Sequence, residues 1–257
     1  MGNVVVTGGT GGLGTRLVDR LLTQGHTVSI TSRNPSAKAP EGVTVHGVDL
    51  TSGRGLAEAV DGADVIVHAA TNLRGKKEVE VGGARRLLDA IGDARPHLIY
   101  VSIVGVDRHH FAYYRTKYAA EQVVEAGPVP FTIQRATQFH SLLYQLFQLP
   151  ISGLPYGSTF QPIDTSEVVD RFVELVDREP AGRVDDIGGP EVLDIDDLLG
   201  QYEEVLGKRP RCFTLPATGK AFRDFGNGVQ TSPDHRYGKL TWRQFLEWQK
   251  GQGESSG

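Results

Sequence analysis

The chain has 257 residues, which suits one large α/β domain or an α/β core with a small appendage, and its 27 Lys and Arg against 31 Asp and Glu leave a formal net charge of −4. So neutral a balance argues against a nucleic-acid footprint, which needs a basic face. The single cysteine, Cys212, excludes an intrachain disulfide and a cysteine-based metal cluster and fits a reducing compartment; no apolar run approaches the roughly 20 residues that cross a bilayer.

The chain opens almost directly on a strand, leaving no room for a signal peptide and pointing to a cytosolic protein. Val4, Val5 and Val6 form the β-branched run of a buried strand over residues 3–7. Gly8, Gly9, Gly11, Gly12 and Gly14 follow at once. Leu13, Leu17, Leu21 and Leu22 then recur at helical spacing over residues 15–24, and Gly25 closes the helix. Strand, glycine turn and amphipathic helix in that order is the context of a dinucleotide-binding fingerprint. Gly8 turns the chain out of the strand, Gly11 lets the backbone approach a pyrophosphate, and Gly14 lets the helix pack closely. The free first-turn N–H groups, at the positive end of the helix dipole, suit a phosphate, so Thr10, Gly12 and Leu13 join the expected cofactor contacts.

Strand and helix patterns alternate onward. Strands are expected over 26–33, 43–50, 63–70, 97–105 and 131–136, with helices over 53–60, 78–92 and 113–126. The 63–70 segment, ADVIVHAA, is nearly all apolar, as a central parallel strand is. This alternation predicts a doubly wound parallel sheet, with its ligand crevice at the carboxyl ends of the first and fourth strands. After Ala136 the pattern loosens into an apolar helical stretch, a Pro/Gly-rich segment, helices over 166–177 and 195–206, a short strand near 185–187 and a last helix in TWRQFLEWQ. The expected organisation is a core over 1–136, a smaller substrate-cleft part over 137–250 interleaved with it, and a frayed tail over 251–257.

The second strand ends in Ser32-Arg33-Asn34, without the acid that accepts from a ribose 2′-hydroxyl in NAD sites. A guanidinium fork at Arg33, with the Ser32 hydroxyl beside it, suits a 2′-phosphate instead, which favours NADP(H) over NAD(H). Asp49 and Leu50 end the third strand at the height of an adenine, Asp49 reading equally well as a turn former. Ala69, Ala70 and Thr71, after the fourth strand, leave room for a cofactor across the sheet edge, whereas His68 reads as a core histidine. Tyr113 and Lys117 stand one helical turn apart. In such a pair an ammonium can depress the phenol's pKa and hold the cofactor ribose while Tyr113 moves a proton; the bland reading is an exposed helix with a Lys117–Glu121 pair. His109-His110 lacks a third ligand at metal spacing, so no metal is expected.

TGGTGGLG, the HAA strand end and YYRTK together resemble the short-chain dehydrogenase/reductase superfamily. YVSIVGVD, RATQFH and DIGGPEVLDIDDLL are similar to segments of its atypical, NmrA-like branch, whose glycine motif is written TGxTGxxG. The resemblance covers nearly the whole chain and implies a Rossmann-type fold, NAD(P) binding and a cleft beneath the C-terminal part. It implies catalytic roles for Tyr113, Lys117 and a fifth-strand hydroxyl. By alignment that hydroxyl's position is Ile103, and neighbouring Ser102 points to the opposite side of the strand unless a bulge turns it. Gln138 and His140 stand where the family shapes a substrate pocket. Phe139, Tyr144, Phe147 and Tyr156 line an apolar substrate cleft or, the favoured reading, pack a core, Tyr156 being counted with the pocket residues. The reading is an NADP(H)-dependent oxidoreductase acting on a small carbonyl, quinone or similar substrate, a monomer or homodimer without membrane or nucleic-acid partner. A non-catalytic NADP(H)-sensing regulator and a sugar-nucleotide epimerase or dehydratase stand as alternatives.

Overall fold

The computed structural model describes residues 1–72, 77–149, 153–216 and 218–254. In chain order the elements begin β1 (Asn3–Thr7), α1 (Gly12–Thr23), β2 (Thr27–Ser32), β3 (Thr44–Gly47), α2 (Leu56–Val60) and β4 (Val65–His68). They continue α3 (Lys77–Ile91), β5 (His97–Ile103), α4 (Ala112–Glu125), β6 (Phe131–Ala136) and α5 (His140–Gln148). After these come β7 (Gly153–Pro155), β8 (Thr159–Phe160), α6 (Thr165–Val176), β9 (Gly182–Arg183), β10 (Leu193–Asp194) and α7 (Ile195–Leu206). The chain ends with β11 (Phe213–Leu215), α8 (Lys220–Gly226) and α9 (Trp242–Glu254).

Seven strands form one parallel sheet in the order β3-β2-β1-β4-β5-β6-β9. The order reverses direction at β1 and β4, which is the switch point of a doubly wound Rossmann-type fold. The early elements follow the expected pattern with ends displaced by a few residues, because hydrophobic period locates an element better than its caps do. The expected strand near 185–187 is two residues at Gly182–Arg183, with Ile187 adding an isolated parallel bridge to Ala136. α9 runs to Glu254, into the segment expected to fray, and residues 255–257 lie outside the described residues.

By contact density the chain falls into two compact units. The first comprises Met1–Ser102, Ala112–Gln134 and Val169–Val184; the second comprises Ile103–Phe111, Arg135–Val168 and Asp185–Gly257. In the first, alternation along the strands puts Val5, Ile66, Leu98, Tyr100 and Ile133 on one sheet face, packed against Leu56 of α2, Leu87 of α3 and Ala120 of α4. Helix α1 ends in a Schellman arrangement: Gly25, at φ 82°, donates to Leu22 O at 2.9 Å and His26 to Leu21 O at 3.1 Å.

The second unit has its own core. Phe147 of α5, Leu198 and Tyr202 of α7 and Trp242, Phe245 and Leu246 of α9 pack together, and the Trp242 indole donates to Leu198 O at 3.1 Å. Two short sheets accompany it, β8 antiparallel to β10 and β7 parallel to β11. No described helix is long and apolar enough to cross a membrane.

Candidate functional site

The glycine turn between β1 and α1 is shaped by backbone contacts that exclude side chains. Gly8 has φ 72°, and a Cβ there would stand 2.8 Å from Ala70 N and Cα. A Cβ on Gly14 would stand 2.2 Å from Gly8 O and 2.7 Å from Gly9 Cα, so α1 leans directly on the turn. Gly11 donates to Gly8 O at 2.9 Å and caps α1 without a side-chain acceptor. A Cβ on Gly12 would meet nothing within 4 Å. The first turn of α1 has no side-chain cap and open space beside Gly12, and this cradle fits a dinucleotide pyrophosphate. Thr10, Gly11 and Gly12 are exposed and Leu13 is half-buried at its rim.

The neighbouring strand ends divide into open and occupied groups. Arg33, exposed just past β2, has no hydrogen bond or ion pair among the described residues. Ser32 Oγ accepts from Asn34 N at 3.2 Å. Asp49 is taken up by its own turn: its carboxylate accepts from Thr51 N at 2.9 Å, Thr51 Oγ1 at 2.7 Å and Ser52 Oγ at 3.1 Å. These bonds hold its carboxyl below the usual range, Thr51 first among them. Leu50 is half-buried against Gly83 of α3.

His68 belongs to the core. Thr7 Oγ1 accepts from Ala70 N at 3.3 Å and shares a hydrogen bond of 2.7 Å with His68 Nδ1, so the ring is held by a buried hydroxyl. Burial, then the nearby Lys117 charge, push the imidazole from 6.5 down to about 3. Between those values the unfolded chain binds a proton that the folded chain refuses, so stability present above pH 6.5 is lost as pH falls toward 3. By pH 4 this costs roughly 3 kcal/mol, and urea unfolding at pH 7 and pH 4 will show a smaller loss in His68→Gln than in the wild type. Equal losses would refute the assignment.

Helix α4 and the β4 end meet in a polar chain. Thr71 Oγ1 donates to Glu80 Oε1 at 2.7 Å and contacts Tyr113 Oη at 2.9 Å; Asn72 N also donates to Glu80 Oε1, at 2.6 Å. Lys117 Nζ donates to Val101 O at 2.7 Å, lies 3.6 Å from Glu80 Oε2 and sits 4.2 Å above the Tyr100 ring. Lys117 is 3% exposed and Glu121 fully buried, so the alternative of an exposed helix with a surface pair is overturned. Desolvation lowers the Lys117 pKa against the pull of Glu80 and Glu121. The expected depression of the phenol by Lys117 also fails: burial pushes Tyr113 up to about 12, the Thr71 hydrogen bond opposing and Glu80 reinforcing the rise. Ser102 lies on the Tyr100 side of β5, which runs unbroken to Ile103; its buried Oγ has no partner among the described residues.

Glu80 was invisible to motif reading, yet it left a signal. It is a carboxylate on the buried stripe of α3, in register with Ala84, Leu87 and Ile91.

The three residues expected to line a substrate pocket lie in the second unit, and two of them are structural. Gln138 donates to Gln230 O at 2.9 Å and its Oε1 accepts from Gln161 N at 3.3 Å. His140 is fully buried, with ring centroids 5.1 Å from Phe245 and 5.7 Å from Trp242 and Nδ1 3.7 Å from Asp164. Tyr144 and Phe147 pack in the same aromatic cluster, whereas Tyr156 is exposed. His110 N–H and Nδ1 both meet Asp224 Oδ2, at 2.7 and 2.8 Å.

Comparison with known proteins agrees with this geometry. The profile of a family described as NAD(P)H-binding matches residues 8–141. A 3-beta-hydroxysteroid dehydrogenase of Mycolicibacterium neoaurum is 46% identical over 72 residues, 27% of this chain and 19% of that protein. Cinnamoyl-CoA reductase 2 of Arabidopsis thaliana is 31% identical over 117 residues, 40% of this chain and 35% of that protein. The matches span only 19% and 35% of the length of these relatives. The structure of UDP-glucuronic acid 4-epimerase from Bacillus cereus, in complex with UDP-glucuronic acid and NAD, superposes with a TM-score of 0.74 at 16% identity, covering 99% of this chain and all of that one. The glycine turn and the strand order agree with the matched profile, and the chain belongs to the NAD(P)H-binding family.

Proposed function

We propose that the protein is an NADP(H)-dependent oxidoreductase of the NmrA-like branch, acting in the cytoplasm on a small carbonyl, quinone or similar organic substrate. One observation carries the reading: the glycine turn and the phenol belong to one continuous surface. Gly8 abuts Ala70, Thr71 follows Ala70, and the Thr71 hydroxyl meets Tyr113 Oη at 2.9 Å. A dinucleotide held at Gly11, Gly12 and Leu13 and passing Ala69 and Ala70 arrives at Tyr113. When bound, the nicotinamide supplies or accepts the hydride; Tyr113 handles the substrate oxygen's proton. Lys117, committed to Val101 O and Glu80, supports this edge from within instead of reaching out to a ribose.

Arg33 supports the choice of NADP(H). Its free guanidinium suits a bidentate grip on a 2′-phosphate, and no acid at the end of β2 repels one. A charge-assisted contact contributes about 1.5–3 kcal/mol, so Arg33→Ala will weaken NADPH binding roughly ten- to a hundredfold and leave NADH unchanged, as measured by nicotinamide fluorescence. Equal wild-type affinity for both cofactors would refute NADP(H) preference. Turnover with NADPH and a panel of quinones and ketones, lost in Tyr113→Phe, tests the activity.

A second reading, an NADP(H)-binding regulator without chemistry, is favoured by Ile103 at the expected hydroxyl position and by the burial of Lys117. Tight NADPH binding with no turnover on any substrate would establish it. The sugar-nucleotide alternative draws on the superposed epimerase and predicts binding of a UDP-sugar.

A further inference from the structure

Glu80 is a charged side chain, 1% exposed, in a helix that otherwise buries Val81, Ala84 and Leu87, and no motif calls for it. Burying a carboxylate is costly unless it is paired and hydrogen-bonded. Here both conditions hold, with Thr71 and Asn72 on Oε1 and Lys117 beside Oε2. The directions of the hydrogen bonds follow. Thr71 Oγ1 donates its single proton to Glu80 Oε1. At the 2.9 Å contact between Thr71 Oγ1 and Tyr113 Oη the phenol must then be the donor.

We propose that Tyr113, Thr71 and Glu80 form a proton relay in which Glu80 is the terminal acceptor, a role that rests on the oxidoreductase reading above. In the direction of alcohol oxidation, the substrate O–H bond breaks and its proton joins Tyr113 Oη. The original phenol proton passes to Thr71 Oγ1, and the original Thr71 proton passes to Glu80 Oε1. One proton thus moves from substrate to carboxylate while the carbinol hydride leaves to an oxidised nicotinamide dinucleotide. Carbonyl reduction runs the same transfers backward. Such a relay suits a phenol held protonated well above neutral pH, because no free phenolate is required. Lys117 is a positioning residue that holds Glu80 from the side of Oε2, 3.6 Å away, and leaves Oε1 to Thr71 and Asn72.

Two variants test this. Thr71→Val cuts the chain and keeps the Glu80–Lys117 pair, so it folds even if Glu80→Gln does not. The vibrational doublet of tyrosine reports whether a phenol donates; for Tyr113 it is isolated as the Raman difference between each protein and its Tyr113→Phe counterpart. The wild type will show a strong donor and Thr71→Val will lose that signature, without any cofactor present. With NADP+ and a panel of secondary alcohols, kcat will fall at least about tenfold in Thr71→Val and in Glu80→Gln, with NADPH affinity of Glu80→Gln within about twofold of wild type. In Glu80→Gln the residual rate will climb with pH as hydroxide replaces the lost acceptor, which a purely structural carboxylate would not produce. An unchanged doublet in Thr71→Val, or an unchanged kcat in both variants, overturns the relay. A wild type that binds no NADPH overturns the oxidoreductase reading instead, and the doublet still decides the hydrogen-bond chain.

Discussion

Gly14→Ala will destabilise the protein and abolish cofactor binding together, whereas Gly12→Ala will leave the fold intact and weaken the cofactor alone. The two positions differ by half a helical turn and by what surrounds them. At Gly14 an added methyl would lie 2.2 Å from Gly8 O and 2.7 Å from Gly9 Cα, both backbone atoms that no rotamer change can remove. The turn or the helix must shift, at the cost of about 1–3 kcal/mol or more that overpacking incurs. The same shift rotates the first-turn N–H groups away from the pyrophosphate. At Gly12 the methyl meets nothing within 4 Å, and alanine gains helix propensity of about 0.5–1 kcal/mol. The only thing such a methyl can obstruct is a ligand approaching the turn. Thermal unfolding and NADPH titration of both variants therefore separate support of the fold from contact with the cofactor. Gly12→Ala with wild-type NADPH affinity would place the pyrophosphate elsewhere.

How far the chain could be read in advance depended on the range of the interactions concerned. Val4–Val6, the glycines and Leu17 and Leu21 express strand, turn and helix within one another's reach, so the β1–α1 unit and the parallel, doubly wound class of the sheet were legible from local period and alternation. β7, β8, β10 and β11 were not. Each has two or three residues and finds its partner far along the chain, Leu193 opposite Phe160 and Phe213 opposite Gly153, so no alternation accumulates to announce it. The same distinction governs the site. Tyr113 and Lys117 were visible as neighbours on α4, but their partners come from the β4 end and α3, and those partners reverse the expected electrostatics. Burial dominates the phenol, and the ammonium answers Glu80. His140 looked like a pocket residue because it is polar and follows a strand end. Whether such a residue faces a ligand or Phe245 and Trp242 depends on where α9 lies, a hundred residues further on.

Lys117→Met carries the other large expected effect. Methionine keeps most of the stem's apolar contact with the Tyr100 ring but removes the ammonium, leaving Glu80 buried at 1% exposure with hydrogen bonds and no counter-charge from Lys117. Removing one partner of a buried pair costs about 3–5 kcal/mol, because the remaining charge stays desolvated. That is a large share of the roughly 5–15 kcal/mol by which a folded domain exceeds its unfolded chain. Urea midpoints of the variant and the wild type at neutral pH measure the loss. Adding Glu80→Gln to Lys117→Met will recover much of the stability, so the two substitutions together cost less than their separate effects predict. Additive effects would mean that Lys117 and Glu80 stabilise the fold independently. Stability so restored without activity would show that the pair exists to hold a charge behind Tyr113, a role that packing alone cannot fill.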